Sequence, residues 1–215
     1  MKVKSYADMS VYKYPFYILL HPFIGFSEMK FNKKFALRVS NTIMLLWYFS
    51  EVFYRKMSCY DFSSWADKRA NVFMIFGSTV AAFGIACLAN WMLCTLLDGK
   101  GKFFQIWCAC SYAFIPLIIY RFLWTFCTYI LIRSEAVFLD YLLTVILCWM
   151  VLLVVAALME MHEYTFKKTV FAIFATALTV IILLFIVLMM SMLLQTMYVF
   201  IMQIIGELRY KFLYK

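Results

Sequence analysis

The chain has 215 residues, of which 67% are apolar, 20% aromatic and only 14% charged, with a formal net charge of +9. Soluble domains are roughly 45–50% apolar and about 25% charged, so a water-soluble fold of this size could not hide so much apolar surface. The composition therefore points to an integral membrane protein with no separate soluble domain. Its lysines cluster beside apolar runs, as membrane orientation requires, so no nucleic-acid partner is expected.

The opening stretch "MKVKSYADMSVYKYPFYILLHPF" has no compact apolar core and no small-residue cleavage site, and reads as mature sequence. Residues 1–34 form a cytoplasmic or interfacial segment, aromatic and moderately apolar, which Pro15 and Pro22 break. A bilayer core needs about 20 apolar residues of helix. Spans are predicted at 35–53, 70–97, 103–132, 137–161 and 168–192. The last apolar stretch continues to Leu208, about 41 residues or roughly 60 Å of helix. It must bend, turn back or leave the membrane, and Ser191, Gln195 and Thr196 mark the place. Beyond them Leu194, Ile201, Ile205, Leu208 and Phe212 share one face, which predicts an amphipathic helix over 193–215. The expected fold is all-α: a transmembrane bundle of about five helices. A short sixth span at 193–215 is the alternative.

The positive-inside rule orients the bundle. With the N-terminus cytoplasmic, Lys2, Lys4, Lys13, Lys30, Lys33, Lys34 and Arg38 lie inside, together with Lys100, Lys102, Lys167 and Lys168. Arg55, Lys56, Lys68, Arg69 and Arg133 then lie outside. The seven cysteines include six within apolar runs, where reduced Cys packs as a small hydrophobe; no disulfide framework or zinc spacing appears.

In the second span, Gly77, Ala81 and Gly84 form a line of small residues, and Ser78, Ala82, Ala86 and Ala89 form another. Such lines let helix backbones approach closely in lipid, which predicts a central helix packed on several neighbours or on a partner. The loop of Asp98, Gly99, Lys100, Gly101 and Lys102 lacks the spacing of a phosphate-binding loop; it reads as a cytoplasmic turn, with glycine supplying positive φ and the lysines meeting headgroups or a partner. Arg121 lies deep in the third span, where an unpaired Arg is costly, and Glu135 is its most local acid. "EMHEYTFKK", Glu160 to Lys168, is not a helix-face zinc motif. It reads as a polar turn in which His162 and Tyr164 bond neighbouring helix ends. With no triad, nucleotide fingerprint or metal cluster in view, no catalytic residue, cofactor or metal is expected.

"HPFIGFSEMKF", "TLLDGKGKFFQIWCACSYAFIP", Glu135, Trp149 and "HEY" before a Thr-bearing fifth span occur in an order that resembles the bacterial branch of the Yip domain family. The resemblance covers about His21 to Glu207. It implies about five transmembrane helices with a cytoplasmic N-terminus. Eukaryotic members act in vesicle traffic through Ypt/Rab GTPases, a role that does not transfer to bacteria; many bacterial members are encoded beside sugar-uptake ABC transporter genes. The implied role is a non-enzymatic accessory or scaffold subunit of the bacterial plasma membrane. Its expected partners are lipids and ABC permeases or further copies of itself. Arg121 departs from the family's apolar pattern, and the long N-terminal region of eukaryotic members is absent. A small transporter using Arg121 and Glu135 is the alternative.

Overall fold

The structure, a computed structural model, describes residues 13–32, 35–62, 69–132 and 134–213. Lys2, Lys4, Lys33, Lys34, Lys68 and Arg133, which entered the orientation argument, lie outside the described residues. Among the described residues the regular structure is helical throughout.

Two short helices come first, α1 (Tyr14–Leu20) and α2 (Pro22–Phe31). Both predicted breakers instead begin a helix. Pro15 and Pro22 stand in first turns, where the missing N–H has no intrahelical partner to lose. The hairpin they form is more than an interfacial segment. Tyr14, Ile18, Phe26 and Met29 are at most 1% exposed and join one core with Cys108, Tyr112, Leu153 and Met161. Gly25 permits the tight turn: a Cβ there would lie 2.8 Å from Ile18 Cγ1, and the Tyr14 hydroxyl donates to its carbonyl at 2.7 Å.

Five helical passes follow. The first is α3 (Leu37–Met57) and the second α4 (Val72–Leu96), whose Gly77–Ala81 turn is π-helical. The third is divided into α5 (Phe103–Tyr112) and α6 (Ile115–Cys127), since Pro116 starts a fresh helix. The last two are α7 (Val137–His162) and α8 (Phe166–Leu213). Four of the passes are long and apolar enough to cross a membrane: Val72–Leu96, Phe103–Cys127, Val137–His162 and Phe166–Tyr210. The predicted first span is the exception by composition. Its 21-residue helix turns Ser40, Ser50 and Glu51 inward, all at most 5% exposed, and Leu45, Leu46 and Phe49 outward. The polar face is thus spent inside the bundle, which hydropathy alone does not register. Helix α3 runs parallel to α5–α6 with a steady offset, seen in Trp107 with Asn41, Trp47 with Phe114 and Cys59 with Thr128.

Helix α4 packs on α3, α5 and α8. Ala109, Ala113, Ala156 and Ala157, all fully buried, form the seam between α5 and α7. In the first half of α4, Ile75 and Thr79 face inward while Gly77 and Ala81 are exposed; a Cβ on Gly77 would meet nothing within 4 Å, and one on Gly84 would lie 3.7 Å from Trp107.

The predicted break before a separate C-terminal helix does not occur. Helix α8 is continuous for 48 residues, about 72 Å at 1.5 Å per residue. It contains no proline, and its one glycine, Gly206, is near the end. Ser191 and Thr196 return their hydroxyls to the carbonyls of Leu188 and Met192, at 2.8 and 2.9 Å, so neither competes for the helical ladder. From Leu184 to Tyr210 every residue is exposed, so the faces read as polar and apolar are alike uncovered within this chain.

Candidate functional site: a polar clasp at one end of the bundle

Helix α4 ends and α5 begins at the same end of the bundle where α7 turns into α8, and α2 reaches that end too. Helix C-termini leave carbonyls without intrahelical partners, and in a low-dielectric bundle these must be bonded. Side chains from distant segments do so. Lys30 of α2 donates to Glu160 and Met161 carbonyls at the end of α7, both at 3.0 Å. Tyr164 donates to the carbonyls of Cys94 and Leu97 at the end of α4, at 3.2 and 2.9 Å, and Lys168 reaches Leu97 at 2.8 Å. Cations at helix C-termini also complement the dipole. Burial pushes the Tyr164 phenol up to about 12, keeping it a donor.

Glu163 ties the three segments together. It ends α7 in the left-handed region at φ 57°, a position glycine usually fills. Its carboxylate bridges Lys100 at 2.6 Å and Lys30 at 2.8 Å. Hydrogen bonds from Lys100, and then from Lys30, hold the carboxyl down at about 2.

His162 lies beneath, 2% exposed and stacked on Tyr164 with centroids 5.3 Å apart. Its Nε2 is 3.0 Å from Asn90 Oδ1, and Asn90 Nδ2 donates to Thr176 Oγ1 at 3.0 Å. Thr176 in turn donates to the Ala172 carbonyl at 2.7 Å. Thr176 therefore accepts from the amide, Asn90 presents its oxygen to the ring, and Nε2 carries the proton. The neutral ring turns a bare Nδ1 toward the loop at 98–101.

That geometry revises the reading of the glycine loop. The positive φ belongs to Asp98, at 59°, and to no glycine. The glycines are needed for space instead. A Cβ on Gly99 would lie 2.6 Å from His162 Nδ1, 2.7 Å from the Tyr164 hydroxyl and 2.8 Å from the Cys94 carbonyl. One on Gly101 would lie 2.9 Å from His162 Cε1. Tyr164 bonds the carbonyls at the end of α4, whereas His162 bonds the Asn90 side chain inside that helix rather than a helix end. Lys102 caps α5 through its backbone N–H, which donates to the Gln105 side chain at 3.1 Å.

Arg121 does not meet Glu135. Its Nε is 3.1 Å from Glu51 Oε2, and its guanidinium lies 4.1 Å from the Tyr54 ring centroid. Glu51 also accepts from Arg55 at 2.9 Å. Glu135 instead accepts from the Ile132 backbone in the turn after α6, at 3.2 Å. The parallel register of α3 and α6 puts Glu51 at the depth of Arg121, whereas Glu135 is beyond the helix end. Lys30, Glu51, Asn90 and Glu163 are the residues that local reading passed over as partners. Asn90 carried a signal, being the one amide side chain within the Val72–Leu96 span.

The Yip1 domain family model matches residues 16–189, most of the chain. No curated protein and no solved structure matches significantly.

Proposed function

Because the chain belongs to the Yip1 domain family, we propose that this multi-pass membrane protein is a non-enzymatic accessory or scaffold subunit of a larger bacterial plasma-membrane complex. The observation that carries the reading is α8. Its distal half, from Leu184 to Tyr210, is exposed on every side and rich in Leu, Ile, Met and Phe. About 72 Å of helix exceeds twice the roughly 30 Å hydrocarbon thickness, so lipid alone does not cover it. An uncovered apolar helix of this length calls for protein neighbours. The outward small residues Gly77 and Ala81 offer a second place for a partner helix to approach. The resemblance to the bacterial branch makes an ABC-type sugar-uptake permease the first partner to seek. The lysine-rich clasp is then the cytoplasmic end, with the N-terminus on that side.

The transporter alternative loses its pair. Arg121 pairs with Glu51, a carboxylate that it shares with Arg55, and is covered by Tyr54, away from Glu135.

The test is co-purification from native membranes in mild detergent, comparing the full chain with one ending at Leu183. Membrane subunits recovered with the full chain and lost on truncation are the expected result. A full chain recovered alone would overturn the proposal; partners retained by the truncated chain would remove α8 as the contact.

A further inference from the structure

We propose that the groove between α4, α5, α7 and α8 binds one acyl chain of an anionic glycerophospholipid from the leaflet at the lysine-rich end. The inference stands apart from the subunit role. Consecutive helices α7 and α8 touch only sparsely, while α8 leans on α4. This leaves a partly open cavity of about 190 Å³, lined by Phe83, Cys87, Ile106, Cys110, Val154 and Ile173 among others. Ala86, exposed, stands at its mouth. The two polar residues in the lining, Asn90 and Thr176, are bonded to each other, so the cavity offers an occupant hydrocarbon.

Size and depth choose the occupant. An α-helix is about 10–12 Å across and does not fit, whereas an apolar cavity of ~150 Å³ already takes up a benzene-sized ligand. At 1.5 Å per residue, Leu158 lies ~6 Å from the lysine-rich end of its helix and Phe83 ~20 Å from the corresponding end of α4. The groove therefore spans one leaflet of a ~30 Å hydrocarbon core. Its open side lies among membrane-crossing helices, where acyl chains are the solvent.

Charge selects the headgroup. Lys100 is paired with Glu163 and Lys168 with the Leu97 carbonyl, while Lys102 lies in the same loop as Lys100 and Lys167 beside Lys168 in the chain. Lys167 is exposed in the first turn of α8, whose N-terminal N–H groups add positive potential at headgroup level.

Native mass spectrometry of the purified full chain, delipidated in detergent and re-exposed to equal phosphatidylglycerol and phosphatidylcholine, tests this. The expected result is one phospholipid held per chain, with phosphatidylglycerol favoured about tenfold. Ala86→Phe at the mouth and Ile173→Trp in the opposite wall should each lower retention at least tenfold, with helical content by circular dichroism unchanged. If one variant misfolds, the other decides. Lys167→Gln, at a lysine outside the clasp, should weaken the headgroup preference without emptying the groove. No retained lipid in the wild type, or undiminished retention in a folded filling variant, overturns the site. Equal retention of the two lipids by the wild type overturns the anionic assignment.

Discussion

Glu163 holds a left-handed backbone that costs a non-glycine residue about 1–2 kcal/mol, and its carboxylate answers to two lysines from distant segments. The folded carboxyl titrates near 2, below its ordinary 4.5. Its contribution is therefore complete above about pH 4.5 and is lost as the pH falls toward 2. The thermal midpoint of the wild type should fall from about pH 6 to about pH 3 more than that of Glu163→Gln, and added salt should shrink the difference, since the Lys100–Glu163 pair is exposed. Equal slopes would remove Glu163 as the responsible group. Gly99→Ala should cost about 1–3 kcal/mol, because His162, Tyr164 and the Cys94 carbonyl all stand within 3 Å of the added methyl. Chemical unfolding in detergent reads it. Glu51 and Arg121 make a coupled pair. Glu51→Ala strands Arg121 and should cost about 3 kcal/mol, while adding Arg121→Met should recover most of it. Additive losses in the double variant would show that the two charges act separately.

At the scale of elements, α8 is the test piece. Its exposed residues 184–210 pack on nothing in the chain, so ending the chain at Leu183 should leave the melting temperature of the bundle within a few degrees. A large drop would mean that the distal half stabilises the fold itself. Four of the helices were legible as apolar runs because lipid demands an apolar surface all round. Helix α3 was legible as a run but not by hydropathy, since Ser40, Ser50 and Glu51 point inward. The continuity of α8 was misread: a helix end needs proline, glycine or a competing side chain, and Ser191 and Thr196 bond back into their own helix. The small-residue line of α4 was real in sequence, yet the alanines of α5 and α7 form the seam. Equivalent local patterns cannot say which partner they meet.

Across the whole molecule, the N-terminal hairpin is held to the bundle by a buried apolar face and by Lys30. Lys30→Met should speed chymotryptic cleavage within Tyr14–Phe31 about tenfold, and Glu163→Gln should do so less, because Lys30 keeps its two carbonyls. Equal effects would place the whole anchor in the ion pair. The sequence by itself determined the solvent, the helical class, the grouping of lysine-bearing loops and the family. The first three follow from composition and short-range order, which transfer free energy into lipid reads directly, and the family from motifs that recur in order. Only the tertiary structure decided that Arg121 pairs with Glu51, that Gly99 and Gly101 make room for His162, and that a groove separates α7 from α8. Those outcomes depend on helix register and on residues as distant as 131 positions meeting at one end of the bundle, as Lys30 and Met161 do. Such pairing is fixed by packing between helices and has no local trace in the chain.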